Sequence, residues 1–219
     1  VTRYNHWLYD SFKDYLGSRI LDAGCGYGNI TQFLLDEAEI VVGLDRSPAF
    51  YEAVTRRFAG RSNFRPVLGD MSDRNLVASL KHYGIDTVVC VNVLEHIGDD
   101  EGVLDAVREV LVSGGKLVLL VPAFRFLFGS MDRADGHFRR YSRSELVAKL
   151  GRCGFHVVMT RYMNLLGIVG WFLNGKILRR TFIPESHYAA YDRLVPVLRA
   201  VESRVPVPLG LSLLCVAQK

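Results

Sequence analysis

Cysteine is scarce in this chain: Cys25, Cys90, Cys153 and Cys215 stand among 219 residues. No two have the spacing of a zinc knuckle or a redox pair, which argues against either site. Three of them lie in apolar segments. Four free thiols and a reducing, cytoplasmic setting are expected. Long apolar runs are missing too. The longest, residues 165–173, falls far short of the roughly 20 needed to span a membrane. Nor is there charge of one sign. The 27 basic and 23 acidic residues leave +4, too mild and too evenly spread for a nucleic-acid groove. No basic patch followed by an apolar run marks a leader, and the valine at position 1 fits an alternative start or a trimmed end. There is no internal repeat and no low-complexity segment. What is present is an ordinary globular composition, 49% hydrophobic and 23% charged. It suits one domain over 1–219 that buries a core unaided.

Short apolar runs alternate with helical periodicity. Residues 19–23 read as a strand ending in a glycine loop. Residues 29–35 read as a helix with Ile30, Phe33 and Leu34 on one face. The continuous apolar run 40–44 predicts a strand buried on both sides. Ser47-Pro48 starts a helix, serine capping and proline in the first turn. Strands are expected at 63–68, where Pro66 makes the run irregular, at 85–93 and at 116–121. Asp99 or Asp100 opens a helix that turns Val103, Leu104, Val107, Val110 and Leu111 inward, and Gly114-Gly115 stops it. This alternation predicts an α/β fold, a doubly wound, mostly parallel sheet with right-handed crossovers. Past residue 122 the pattern changes. Residues 123–141 have no clear period, Ser142 to Glu145 form a capping box, and 155–162 is a sixth strand. A helical interruption fills 163–207, and 209–217 is expected to pair antiparallel as the seventh strand.

The first strand ends in Asp22-Ala23-Gly24-Cys25-Gly26-Tyr27-Gly28-Asn29. Glycines there let backbone approach a ligand at a helix start. The dinucleotide fingerprint needs a glycine three positions after the second, where this chain has Asn29. Asp45, flanked by Arg46, ends the second strand, where a carboxylate can accept both hydrogens of a ribose diol. Asp70, in Gly69-Asp70-Met71, follows the third strand and can accept from an exocyclic amine. Asn92-Val93-Leu94-Glu95-His96-Ile97 closes the fourth.

In this order the motifs resemble the class I S-adenosylmethionine-dependent methyltransferases over about residues 19–122. The resemblance implies S-adenosylmethionine as cofactor and S-adenosylhomocysteine as product. It places Gly24, Cys25, Gly26 and Gly28 against the methionine and ribose, Asp45 and its neighbour Arg46 at the ribose, and Asp70 with the Met71 backbone at adenine. It sets Asn92 and Val93 toward the methionine moiety, with Asp22 either orienting the loop or reaching the cofactor's amino group through water. Some relatives bind a divalent metal through E-x-x-E-H. Asn92 stands at the first of those positions here, so no metal is expected.

The acceptor side is expected to come from the N-terminal helix over 1–18 and the insertions 123–141 and 163–207. His137 is the first choice for a base, since imidazole titrates near neutrality; Tyr141 and His6 follow. Tyr4, Trp7 and Tyr9 read either as a cap on the cofactor or as a face packed on the sheet. Arg125, Arg133, Arg139, Arg140 and Arg143 read either as receptors for an anionic acceptor or as partners of Asp132, Asp135 and Glu145. Residues 165–180, apolar and aromatic and then basic, suit a lid, a dimer contact or a helix in a membrane interface. The helix expected over 186–205 turns Tyr188, Tyr191, Leu194, Val195, Leu198 and Val201 inward, with Pro196 as a kink. The later portion resembles bacterial methyltransferases encoded among glycan, lipid or natural-product enzymes. The expected function is methyl transfer to oxygen or nitrogen of a small-molecule, anionic or lipid-linked acceptor by a monomer or homodimer, without nucleic acid. The rivals are a nicotinamide-dependent oxidoreductase on the same fold and a non-catalytic scaffold that keeps the cofactor.

Overall fold

The apolar runs align into one sheet because each carries two faces to cover. A computed structural model describes residues 2–182, 185–204 and 207–219, side chains of 185–189 excepted. Among these, β1 (Arg19–Ala23), β2 (Ile40–Asp45), β3 (Phe64–Leu68), β4 (Thr87–Val91) and β5 (Lys116–Pro122) run parallel. The last strand, β7 (Ser212–Gln218), lies antiparallel between β5 and β6 (His156–Met163). The order is β3-β2-β1-β4-β5-β7-β6. Pro66, which cannot donate to a ladder, sits on the edge strand β3, where proline is tolerated.

Side chains alternate between the two faces with the strand period of two. Leu117, Leu119 and Val121 of β5 join the core under α4 (Arg74–Ser79), α5 (Asp100–Val110) and α7 (Arg143–Arg152). Val118 and Leu120 join the opposite core. That core packs against α1 (Thr2–Asp10), α2 (Thr31–Glu37), α3 (Pro48–Arg57) and α9 (Glu185–Glu202). Both faces are therefore covered, as a parallel sheet requires.

Local signals set the helix starts. Ser47 accepts from the Phe50 N–H and Asp99 from the Gly102 N–H. Ser142 caps α7 through the Glu145 N–H, but Glu145 does not reciprocate: its carboxylate pairs with Arg125 at 2.7 Å. Two short segments, a turn at Arg125–Leu127 and α6 (Ser130–Ala134), fill the stretch without clear period. The second insertion holds α8 (Leu165–Phe172), which continues as one π turn over Leu173–Ile177. A side chain at Gly129 would lie 2.6 Å from the Gly175 oxygen, so glycine there lets α6 meet this turn. The α9 expectation needs correction. Val195 is buried, but Leu194 and Val201 face outward, because α9 packs on α1 along a narrower stripe than the sequence suggests. The Tyr188 side chain and Val205 lie outside the described residues.

Tyr141 is a fold residue. It is fully buried, and its hydroxyl donates to Asp100 at 2.9 Å. Burial and the adjacent carboxylate push that phenol far above its ordinary range. Asp100 also takes Arg139 at 2.7 Å and Lys149 at 2.8 Å. Burial alone would raise the Asp100 carboxyl; hydrogen bonds from Lys149, Tyr141 and Arg139 hold it below the usual carboxylate range. A carboxyl lowered on folding stabilises above its unfolded pKa, and that contribution fades as pH falls through the folded value. Asp100→Asn is therefore expected to lower stability at pH 7 by about 1.5–3 kcal/mol. The gap to the parent should shrink below about pH 4, where the carboxyl protonates in the unfolded chain. Denaturant melts of both proteins across pH check this; a gap that does not depend on pH refutes it.

Candidate functional site

The loop between β1 and α2 is bent by three glycines at positive φ: Gly24 at 75°, Gly26 at 53° and Gly28 at 76°. A side chain at Gly24 would strike Val93, and one at Gly28 would strike Phe58. At Gly26 nothing lies within 4 Å of an added Cβ, so this glycine faces open space. The loop's hydrogen bonds close on the protein itself. Gly24 and Cys25 N–H both donate to the Leu44 carbonyl, at 2.7 and 3.1 Å, and Gly28 N–H donates to the Cys25 carbonyl at 2.8 Å. Gly26 N–H donates to Asp45 at 2.8 Å. Four of the loop's backbone donors are thus spent internally.

Asp45 ends β2 nearly buried. One oxygen takes the Gly26 N–H and the other takes the Ser47 N–H at 2.9 Å. A carboxylate offers about four lone-pair directions, so each oxygen keeps one to spare. Asp22 lies beneath the loop and accepts from the Thr31 hydroxyl at 2.6 Å. Burial pushes it up to about 6, with the Asp45 charge adding to the rise. Cys25 is buried, and burial drives its thiol far above its ordinary range, which removes it as a nucleophile. Asp70 is half-exposed, takes the Ser72 N–H at 2.8 Å and lies 3.8 Å from Arg46. Met71 is buried. The three acids Asp22, Asp45 and Asp70 make this end of the sheet anionic. An open glycine, spare acceptors and negative charge fit a cationic nucleoside without phosphates, as S-adenosylmethionine is.

Asn92 and Val93 link the loop to a cavity. Val93 packs on Gly24, while Asn92, at φ 54°, lines a cavity of about 670 Å³. Asn164, at φ 65°, lines it from the far side. Backbone strain at non-glycine residues gathers at sites. Asn164 caps α8 by accepting from the Gly167 N–H at 2.8 Å, and it accepts from the Tyr191 hydroxyl at 2.7 Å. Glu202 of α9 accepts from the Asn164 and Leu165 N–H groups at 3.0 and 2.8 Å. These bonds tie the start of α8 to α9 within the insertion.

The cavity's reactive wall is Glu95, His96 and His137. His137 Nδ1 lies 3.1 Å from Asp132 Oδ1. Burial would raise the Asp132 carboxyl, but His137, Arg140 and the Gly129 N–H hold it below the usual range. An ionised carboxylate only accepts, so Nδ1 donates and Nε2 is the ring's remaining nitrogen. Arg140, also buried, donates to Asp132 at 2.6 Å, and Trp171 Nε1 donates at 3.1 Å. Both Glu95 oxygens are buried without a hydrogen-bond partner. Burial pushes this carboxyl up to about 7, against the pull of His137 and Arg140. Burial and the neighbouring His137 hold the His96 imidazole below its ordinary value. The sequence expects no metal, yet Glu95, His96 and His137 each bring one donor atom within 4.8 Å of the others.

Of the three candidate bases, the structure brings only His137 to the cavity. Tyr141 is locked to Asp100. His6 pairs with Asp10 at 2.9 Å and lines a separate groove between α1 and α9. Tyr4 does reach the cavity, whereas Trp7 and Tyr9 are buried in the sheet packing. The arginines serve mainly to hold the loop. Arg125, Arg139 and Arg140 pair with Glu145, Asp100 and Asp132, and Arg143 lies over the Tyr162 ring. Sequence reasoning missed Asp132 as the partner that orients His137. It also missed the stripe Asn164, Gly167, Gly170, Trp171 and Asn174 that faces the cavity, whose helical spacing was the available signal.

Residues 21–117 match the family model described as a methyltransferase domain. The chain is 25% identical over 154 residues to a ubiquinone biosynthesis O-methyltransferase of Xylella fastidiosa. That match covers 64% of this chain and 62% of the relative, so the chain spans under two thirds of that protein's length. A SAM-dependent methyltransferase from Archaeoglobus fulgidus superposes with a TM-score of 0.67 at 16% identity, over 99% of this chain and 94% of that one. The [4+2]-cyclase SpnF superposes at 0.64 and 16%, over 100% and 80%. The shared fold alone thus does not fix a reaction.

Glu95 supplies a test of the buried site. A carboxyl raised on folding stabilises fully below its unfolded pKa, about 4.3, and loses that contribution as pH rises through about 7. Glu95→Gln, always neutral, is expected to become the more stable protein above pH 7, by on the order of 3 kcal/mol. Below pH 4 the two should be alike. Melting curves from pH 4 to 8 that run parallel for both proteins would rule this out.

Proposed function

The chain carries a methyltransferase domain of the class I, S-adenosylmethionine-dependent family, and from that premise we propose that it methylates an oxygen or nitrogen of a small-molecule or lipid-like acceptor. The observation that carries this is the glycine loop. Four of its donors are spent on Leu44, Cys25 and Asp45, while Asp45 keeps one acceptor direction free on each oxygen. That arrangement suits a ribose diol, and Asn29, where the dinucleotide fingerprint has glycine, favours an adenosyl cofactor over a nicotinamide one. By family likeness Asp70 and the Met71 backbone take the adenine side.

S-adenosylmethionine, when bound, supplies a methyl group already activated on a sulfonium. The protein's own task is then alignment and exclusion of water, which can contribute roughly 7–11 kcal/mol. The cavity beside Asn92 receives the acceptor, walled by Trp171 and the glycines of α8. His137 Nε2 accepts the proton of an acceptor hydroxyl or amine, and Asp132 holds the ring in the tautomer that leaves this nitrogen free. The name of the curated relative supports oxygen as the methylated atom.

A divalent cation on Glu95, His96 and His137 is the second reading, favoured by the unpartnered Glu95 carboxylate. Dialysis against a chelator separates the two. Turnover that survives chelation removes the metal, and turnover that returns only with added cation removes the simple base.

Calorimetric titration of the purified chain tests the cofactor. Binding of S-adenosylhomocysteine without binding of NAD is expected; NAD alone would overturn the proposal. Asp45→Ala should weaken S-adenosylhomocysteine by about 1–3 kcal/mol, the cost of unmatched polar partners. His137→Ala should cut turnover by roughly 100- to 10,000-fold and leave that affinity unchanged. Unaltered turnover in this variant would discard His137 as the base.

A further inference from the structure

The helix α8 has two unlike faces. Gly167, Gly170, Trp171 and Asn174 line the cavity. Leu166, Val169, Phe172 and Leu173 point away from it, each 40–55% exposed. The apolar surface runs on through Ile177, Leu178 and Phe182, the last 72% exposed. Lys176, Arg179 and Arg180 stand exposed in the same stretch. Among the described residues none of the three meets a carboxylate; Arg180 donates to the Asn174 amide oxygen instead.

So much contiguous apolar surface marks a contact with something. Unpaired cations set beside it narrow the choice. A second copy of the chain, packed face to face about a twofold axis, would set these cations against their own counterparts. A bilayer offers both complements at once, with acyl carbon for the leucines and phenylalanines and lipid phosphates for the cations. No helix among the described residues is long and apolar enough to cross a membrane, so the contact lies along the surface.

We propose that residues 165–182 dock the protein onto bilayers containing anionic phospholipid. The same helix then has lipid on one face and the cavity on the other. Its inner stripe carries two glycines, so little side-chain bulk separates the two. An amphiphilic acceptor can leave its apolar tail at the outer face while its reacting head occupies the cavity. The identity of the acceptor rests on the methyl-transfer reading; the docking does not.

Sedimentation with sucrose-loaded vesicles tests this, using phosphatidylcholine alone and with roughly a third phosphatidylglycerol. The protein is expected to pellet with the anionic vesicles, to ignore the neutral ones and to come off as salt rises. Replacing Lys176, Arg179 and Arg180 by serine should lower partitioning about five-fold for each charge removed. Phe172→Ser with Ile177→Ser should lower it with the cations intact. Calorimetry with S-adenosylhomocysteine on every variant separates lost docking from lost folding. Indifference of the parent to anionic vesicles at low salt, or variants that bind as the parent does, would overturn the proposal. So would a dimer that the variants dissociate in the absence of any vesicle binding. Vesicle binding by a chain that binds no S-adenosylhomocysteine would sink the methyl-transfer reading and leave the docking standing.

Discussion

One buried carboxylate organises the half of the molecule that faces the cavity. Asp132 gathers His137, Arg140, Trp171 and the Gly129 N–H around two oxygens. These donors come from the 123–141 insertion and from α8, which share no strand. A charge removed from water is costly unless its lone pairs are met. The four donors therefore converge because each satisfies the same group. Arg140 extends the arrangement by donating to the Ala123 carbonyl and lying under the Trp171 ring. Among the described residues, the other polar tie between the two insertions is Ser130, whose one hydroxyl proton is shared between the Gly175 and Arg180 carbonyls.

The glycine-loop half was legible in the sequence because it is written in short motifs read in order along the chain. The cap at Ser47 acts within a few residues, and strand pairing brings the acid ending β2 to the glycine loop, so that Asp45 meets the Gly26 N–H nineteen residues away. Strand order follows from alternation and the right-handed crossover rule, and β7 was expected antiparallel and is so. The acceptor half was less legible. His137 was picked out for its chemistry, but its partner Asp132 was read as one member of an arginine-paired loop. Tyr141 followed His137 as a candidate base, and only packing reveals that Asp100 holds it. His6 was misplaced for the same reason, since the direction a short helix presents is set by α9, some 190 residues away. Leu194 and Val201 were expected inside because periodicity reports amphipathicity without saying which neighbour covers which stripe.

The two halves also differ in how they hold their shape. The glycine loop is braced by backbone and carboxylate bonds that need no ligand, so little ordering remains to be done when one arrives. The insertion depends on a few bonds to side chains, the Asn164 N–H with Glu202 between α8 and α9 and Trp171 with Asp132 across to the first insertion.

Gly170 gives that insertion a further property. Glycine inside a helix costs about 0.5–1 kcal/mol against alanine, and nothing within 4 Å would obstruct a Cβ there. Space, not backbone geometry, is what the missing side chain preserves. The size of guest that the cavity admits is thus adjustable one methyl at a time, at a position where enlargement of the residue would make the helix firmer and the chamber smaller.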